Sequence, residues 1–187
     1  GVGGVSLAAA FVIMVDKMAN SETASFRFKR ILAWLHPEEY VSDTGYQTLQ
    51  ALYAIGSGGI WGKGLGQSMQ KLGFIPEAQN DMIFSIICEE LGLFGAIAII
   101  LMFVMLIWRL MVIANNAPDL FGALLVVGVM GHMAIQVILN IAVVTATIPN
   151  TGISLPFISY GGTAVLFQLA EIGIVLNVAK KIPLKDT

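Results

Sequence analysis

The stretch from Leu91 to Trp108 contains no charged side chain, and its length approaches the about 20 apolar residues that a helix needs to cross a bilayer. Around it, Met82 to Ile113 is apolar apart from Glu89, Glu90 and Arg109. Leu120 to Ile148 carries one titratable group, His132, and Thr163 to Ala179 carries one carboxylate, Glu171. A further apolar run, Gly1 to Val15, has no charged segment or A-x-A cleavage pattern ahead of it and reads as the tail of a longer transmembrane helix. Backbone polar groups must be satisfied within the segment when it lies in lipid, and no segment alternates like a barrel strand. The expected fold is therefore all-α and polytopic, with four membrane segments, the first incomplete.

Composition narrows the function classes. Of 187 residues, 57% are hydrophobic and 12% charged, with mean hydropathy +0.82, about half the charged share of a soluble domain. This argues against a disordered chain, a nucleic-acid binder and an ordinary cytosolic enzyme. A net charge of -2 means that any basic site must be local. Cys88 is the single cysteine, which rules out a disulfide framework, and His36 and His132 belong to no HExxH pattern.

Prolines mark the joints: Pro76, Pro118, Pro149, Pro156 and Pro183. The chain divides into a helix end (1–15), an extracytoplasmic loop (16–81), spans at 82–113, 120–148 and 163–179, an irregular extracytoplasmic loop (149–162) and a cytoplasmic tail (180–187). The outside placement of the long connection follows from basic residues at the two short ends: Arg109, and Lys180, Lys181 and Lys185. A connection as long as 16–81 exceeds an idle loop and is expected to carry function. Within it, Phe26 to Leu35 fits an amphipathic surface helix with Phe28, Leu32 and Leu35 on one face and Arg27, Arg30 and Trp34 on another. Next comes GSGGIWGKGLG, with Gly56, Gly58, Gly59, Gly62, Gly64 and Gly66. It resembles a phosphate-cradling loop but is no Walker A, because Gly64 follows Lys63 where Ser or Thr is required.

Asp81 sits at the lip of the second span. Partial desolvation of a carboxylate at such a boundary tunes it toward general-base work, while an N-cap role, shared with Asn80, is the plainer alternative. Glu89 and Glu90 lie deeper, where carboxylates face either a cavity or a cationic partner from the connection. Glu171 and His132 have bundle hydrogen bonding as the default and a substrate or proton-relay role as the alternative. Arg27, Lys29, Arg30, Lys63 and Lys71 can gather round a phosphate or anchor to anionic lipid. Cys88 and the methionines read as core. The irregular Ile148 to Thr163 segment is a candidate cavity wall on the side of the long connection.

Four stretches in order, FRFKRILAWLHP, GYQTLQALYAIGSGGIWGKGLGQS, KLGFIPEAQNDMIFSIICEELG and GISLPFISYGG, resemble the bacterial shape, elongation, division and sporulation family of FtsW, RodA and SpoVE. GLGQSMQKLGF followed by PEA looks more like the division and sporulation branch. The resemblance implies a peptidoglycan glycosyltransferase of about ten transmembrane helices in the bacterial inner membrane, with this chain its C-terminal portion from within the seventh. It further implies polymerisation of lipid II with release of undecaprenyl pyrophosphate, beside a class B penicillin-binding protein and other division proteins. The family's essential acid falls on Asp81 and its basic stretch on Arg27 and Arg30. The family's usual His-Thr-Asp-Phe is here Gln79, Asn80, Asp81, Met82, and its acid before Pro37 is His36.

On this reading Asp81 takes the proton of the acceptor hydroxyl, and Arg27, Arg30 and Lys63 stabilise the departing pyrophosphate. Glu77, Glu89, Glu90 and Ser159 complete the substrate-binding candidates, and the flexible glycine run lets backbone approach the headgroup. No nucleotide or redox cofactor is called for; a divalent cation bridging pyrophosphate is compatible with the chemistry, though no motif marks a site. Two rivals remain open: a transporter of lipid-linked precursor, and a non-catalytic scaffold that recruits a transpeptidase.

Overall fold

A computed structural model describes residues 26–36, 44–69 and 79–182, with side chains of the first helix from Arg30 onward. Its helices are α1 (Phe26–Leu35), α2 (Thr44–Gly58), α3 (Ile83–Asn116), α4 (Leu120–Val144) and α5 (Gly162–Lys180), and no strand occurs among the described residues. The all-α expectation holds, and α3, α4 and α5 are each long and apolar enough to cross a membrane. The segment Gly1 to Val15 lies outside the described residues.

The three long helices pack side by side around two apolar clusters. One joins Met82, Phe84, Ala96 and Phe103 to Val137, Val143 and Val144, with Ala51 and Ala54 of α2 against it. The other joins Leu110 and Ala114 to Val126, Met133, Val175 and Val178. The remaining faces carry exposed Leu101, Met105 and Trp108 on α3, Phe121 on α4 and Phe167 on α5, as a surface solvated by lipid requires. Asp119 caps α4 by accepting from Gly122 N at 2.8 Å.

The structure departs from the sequence reading in four places. First, Met82 to Ile113 is not one continuous helix, because Gly92 (φ 64, ψ -160) breaks α3. From Leu93 to Asn116 the second part still runs about 36 Å, at about 1.5 Å per residue, enough for a bilayer core of about 30 Å. Second, α4 stops at Val144 rather than Ile148, where Ala146 turns the chain with φ 55. Third, the long connection contains α2 as well as the expected surface helix. Gly45, Thr48, Ala51, Ala54 and Gly58 form its buried stripe, and small residues at that spacing let two helix backbones approach closely. A Cβ on Gly58 would lie 2.0 Å from the Cys88 carbonyl oxygen.

Fourth, the glycine run is not a free loop but a turn fitted into the break in α3. Gly59 and Ile60 carbonyls accept from Leu93 N (3.0 Å) and Phe94 N (3.5 Å), while Lys63 N and Gly64 N donate to the Glu89 and Glu90 carbonyls, each at 2.9 Å. These contacts serve backbone groups that the break leaves without helical partners, a need that is acute beside lipid. The approach demands glycine on both sides: a Cβ on Gly62 would meet Glu90 O at 2.2 Å, and one on Gly92 would meet Gly62 N at 2.4 Å. Gly58 and Gly62 of the run contribute closeness within the protein rather than flexibility toward a headgroup.

Candidate functional site

Asp81 lies in the turn that leads into α3, and its carboxylate does not cap that helix. Met82 occupies the N-cap with no side-chain cap bond, and Ser85 closes the first turn by donating from Oγ and N to the Met82 carbonyl. The Asp81 side chain instead borders a cleft of about 180 Å³ lined with Asn80, Gly152 and Ser154. Gly152 (φ 68) brings bare backbone to the cleft, and a Cβ there would come within 3.9 Å of Asp81 Oδ2. The irregular 149–162 segment is thus the cavity wall expected from its prolines and glycines.

A chain of polar contacts ties the surface helix to this carboxylate. Gln47 Nε2 donates to Asp81 Oδ1 at 3.5 Å, Asn150 Nδ2 donates to Gln47 Oε1 at 2.8 Å, and Arg30 Nη1 donates to Asn150 O at 3.4 Å. Trp34 Nε1 donates to Ala146 O at 2.7 Å, pinning α1 to the end of α4. The face of α1 that packs inward is therefore Leu32 and Ala33, with Leu35 exposed and Trp34 used as a dock. The position of Arg27 is on this helix, but its side chain is outside the described residues, as is Glu77.

Beneath Asp81 the backbone is held too. Asn140, fully buried on α4, donates from Nδ2 to Asp81 O (2.8 Å) and Ile153 O (2.7 Å). Tyr160 N donates to Gln79 O at 2.8 Å, closing the other side of the turn. There a second groove of about 500 Å³ opens between Gln79, Ile83, Tyr160 and Val165, with Ser159 on its wall. The Ser159 hydroxyl accepts from Leu155 N at 2.6 Å, which shapes the bend containing Phe157 (φ 61).

Glu89, Glu90 and Lys63 form a separate cluster inside the glycine turn. Lys63 Nζ lies 2.7 Å from Glu89 Oε1, the Ser68 hydroxyl donates to Glu89 Oε2, and Ser57 Oγ and Met69 N approach Oε1 at 3.4 Å. Glu90 accepts from Gly66 N (3.0 Å) and Ser68 N (3.4 Å). Glu89 is completely buried, so the cationic partner from the connection, one of the two readings left open above, is present in Lys63. His132 Nδ1 and Glu171 Oε2 meet at 3.1 Å between α4 and α5, a hydrogen-bonded pair on an exposed face rather than in the bundle interior. Among the described residues no three His, Cys, Asp or Glu side chains gather as a metal site.

Sequence reasoning missed Gln47, Asn140, Asn150 and Ser154. A signal existed for one of them: His132, Gln136 and Asn140 recur every four residues along an otherwise apolar span, marking a polar stripe on one helix face. Gln136 meets Gln168 of α5 at 3.5 Å, so all three members of the stripe are used.

What the cleft offers chemically is a positioned carboxylate, an arginine connected to it through the Asn150 carbonyl and the Asn150 and Gln47 side chains, and an adjoining apolar groove. Such a set can abstract a proton and stabilise an anionic leaving group on a lipid-borne substrate.

Comparisons with known proteins converge. The cell cycle protein family model of FtsW, RodA and SpoVE matches residues 2–183. Stage V sporulation protein E of Bacillus subtilis is 49% identical over 158 residues, 84% of this chain and 43% of that protein. A protein of Trichlorobacter lovleyi named probable peptidoglycan glycosyltransferase FtsW is 47% identical over 156 residues, 83% of this chain and 41% of that protein. The chain thus spans about two fifths of the length of these relatives. Among solved structures, a chain of a peptidoglycan synthase complex, solved for its coordination of polymerization and crosslinking, superposes with TM-score 0.65 at 25% identity, over 98% of this chain and 49% of its own. An aspartate-to-alanine mutant of the rod shape determining protein RodA of Thermus thermophilus gives TM-score 0.55 at 31% identity, over 72% of this chain and 41% of its own.

Proposed function

Because the chain belongs to the FtsW, RodA and SpoVE family of cell cycle proteins, we propose that it carries the acid-bearing region of a peptidoglycan glycosyltransferase of the division and sporulation branch, working at the outer face of the bacterial inner membrane. The substrate is lipid II and the leaving group undecaprenyl pyrophosphate. Asp81 removes the proton from the acceptor sugar hydroxyl as that oxygen attacks the anomeric carbon of the donor. The bond from that carbon to pyrophosphate breaks, and its electron pair departs on the phosphate oxygen. Arg30, with Arg27 on the same helix, offsets the developing charge. The observation that carries this reading is the Asp81 carboxylate, spared from helix capping, set on an open cleft and linked through Gln47 and Asn150 to Arg30.

Lys63, Glu89 and Glu90 serve the site by holding the glycine turn, since their polar atoms are engaged there. Ser159 and Glu77 stay as candidates for contacting the glycan. The reaction as written uses no nucleotide or redox cofactor, and any divalent cation would arrive on the substrate pyrophosphate. A class B penicillin-binding protein is the proposed partner, a reading supported by the likeness to a chain of a peptidoglycan synthase complex.

Glycan synthesis from purified lipid II by the intact protein in detergent tests the proposal, since detergent leaves no membrane to cross. Polymer is the expected product. A protein that makes none, yet moves lipid-linked precursor across vesicles, would be a transporter instead.

A further inference from the structure

We propose that Asn140 is a positioning residue for glycosyl transfer, setting the place of Asp81 and the width of its cleft through one amide group; this rests on the reading of Asp81 as the general base. The Asn140 Nδ2 group donates to the carbonyls of Asp81 and Ile153 at 2.8 and 2.7 Å. Those carbonyls belong to opposite walls, the turn before α3 and the irregular segment that supplies Gly152 and Ser154. A planar NH2 directs its two hydrogens at a fixed angle, so it fixes the separation of the two walls as well as the height of each. Its own backbone is anchored in α4 between buried Val137 and buried Val143 and Val144.

Packing alone does not account for this residue. Asn140 is completely buried, and its Oδ1 meets no hydrogen-bond partner among the described residues. An apolar side chain of the same volume would fill the space without an orphaned acceptor, whose burial is unfavourable. What asparagine adds over leucine at this position is the pair of donors. Gln47 meets the Asp81 carboxylate while Asn140 holds the main chain beneath it. The base is therefore oriented at its head and fixed at its root.

The test is lipid II polymerisation by the intact protein carrying Asn140→Asp, Asn140→Leu, Asn140→Ser or Asn140→Gln, with Asp81→Asn measured beside them and thermal unfolding recorded for all. Displacing a reacting group by about 1 Å costs up to about 100-fold in rate. The expected result is a kcat lowered about 10- to 100-fold in the Asp and Leu variants, with KM for lipid II within about threefold of wild type. Asn140→Gln, which keeps the NH2, should recover part of the loss, as should Asn140→Ser with its single donor. If Asp81→Asn is inactive while Asn140→Asp and Asn140→Leu keep kcat within about twofold, the positioning role is wrong and the glycosyltransferase reading stands. If Asp81→Asn is fully active, the reading of the base fails first. Equal losses in all four Asn140 variants, in step with lowered unfolding temperatures, would overturn the proposal in favour of simple packing.

Discussion

At the scale of single residues, the molecule separates two sets of carboxylates by environment. Glu89 is enclosed with Lys63 and two serines, whereas Asp81 opens onto a cleft. Removing the cation should expose the difference. Lys63→Met takes the Nζ contact away from buried Glu89, and because the Lys63 side chain is 35% exposed, water softens the loss to about 1–3 kcal/mol rather than the larger cost of a fully enclosed pair. Thermal or denaturant unfolding of detergent-purified protein checks this, and a Lys63→Met, Glu89→Gln double variant should recover much of it. Arg30 predicts the opposite pattern. Arg30→Ala should lower kcat about 10-fold or more if it offsets leaving-group charge, with a much smaller effect on unfolding, which turnover with lipid II would read. Asp81 was legible in the sequence because it stands where a polar connection meets an apolar span. Gln47 and Asn150 were not, because their roles come from pairing across 103 residues of chain, and nothing in either local sequence announces that contact.

At the scale of elements, the glycine run and the broken helix make one unit. The sequence displayed every glycine but suggested a flexible run approaching a headgroup, since local spacing cannot tell a flexible loop from a tight backbone contact. Only the fold reveals that Gly62 faces Glu90 and that Gly92 adopts a conformation few other residues accept. Gly92→Ala should therefore destabilise by about 1–3 kcal/mol from backbone strain alone, with the 2.4 Å approach to Gly62 N adding to it. Gly56→Ala, with open space around the site in the last turn of α2, should be neutral or slightly stabilising. A matched pair of unfolding curves distinguishes these outcomes. Helix α1 was readable from its pattern, yet its dock was not: the Trp34 bond to Ala146 O joins it to an irregular turn whose positive φ no periodicity predicts. The polar stripe of α4 was readable in principle, because four-residue spacing survives any tertiary context.

At the scale of the whole molecule, with the three long apolar helices as membrane spans, the cleft, α1 and the glycine turn would share one side of the membrane. The α3–α4 turn, with Asn116 and Asp119, then lies on the other side. Cysteine labelling checks this arrangement, and buried Cys88 gives little background. A cysteine at exposed Thr151 should react with a membrane-impermeant maleimide added outside intact cells, and one at exposed Asn116 only after permeabilisation. The reverse pattern would turn the cleft toward the cytoplasm, away from any extracellular glycan. Span number and helix class were legible because hydrocarbon imposes them on composition; the break in α3 escaped because an apolar run reads the same whether it is straight or interrupted. The most direct test of the account is glycan synthesis from purified lipid II by the intact protein and its Asp81→Asn variant, at matched unfolding temperature and matched association with the proposed penicillin-binding partner. Loss of polymer with folding and association retained is the predicted result. Wild-type polymer yield from the asparagine variant would contradict the account at its centre.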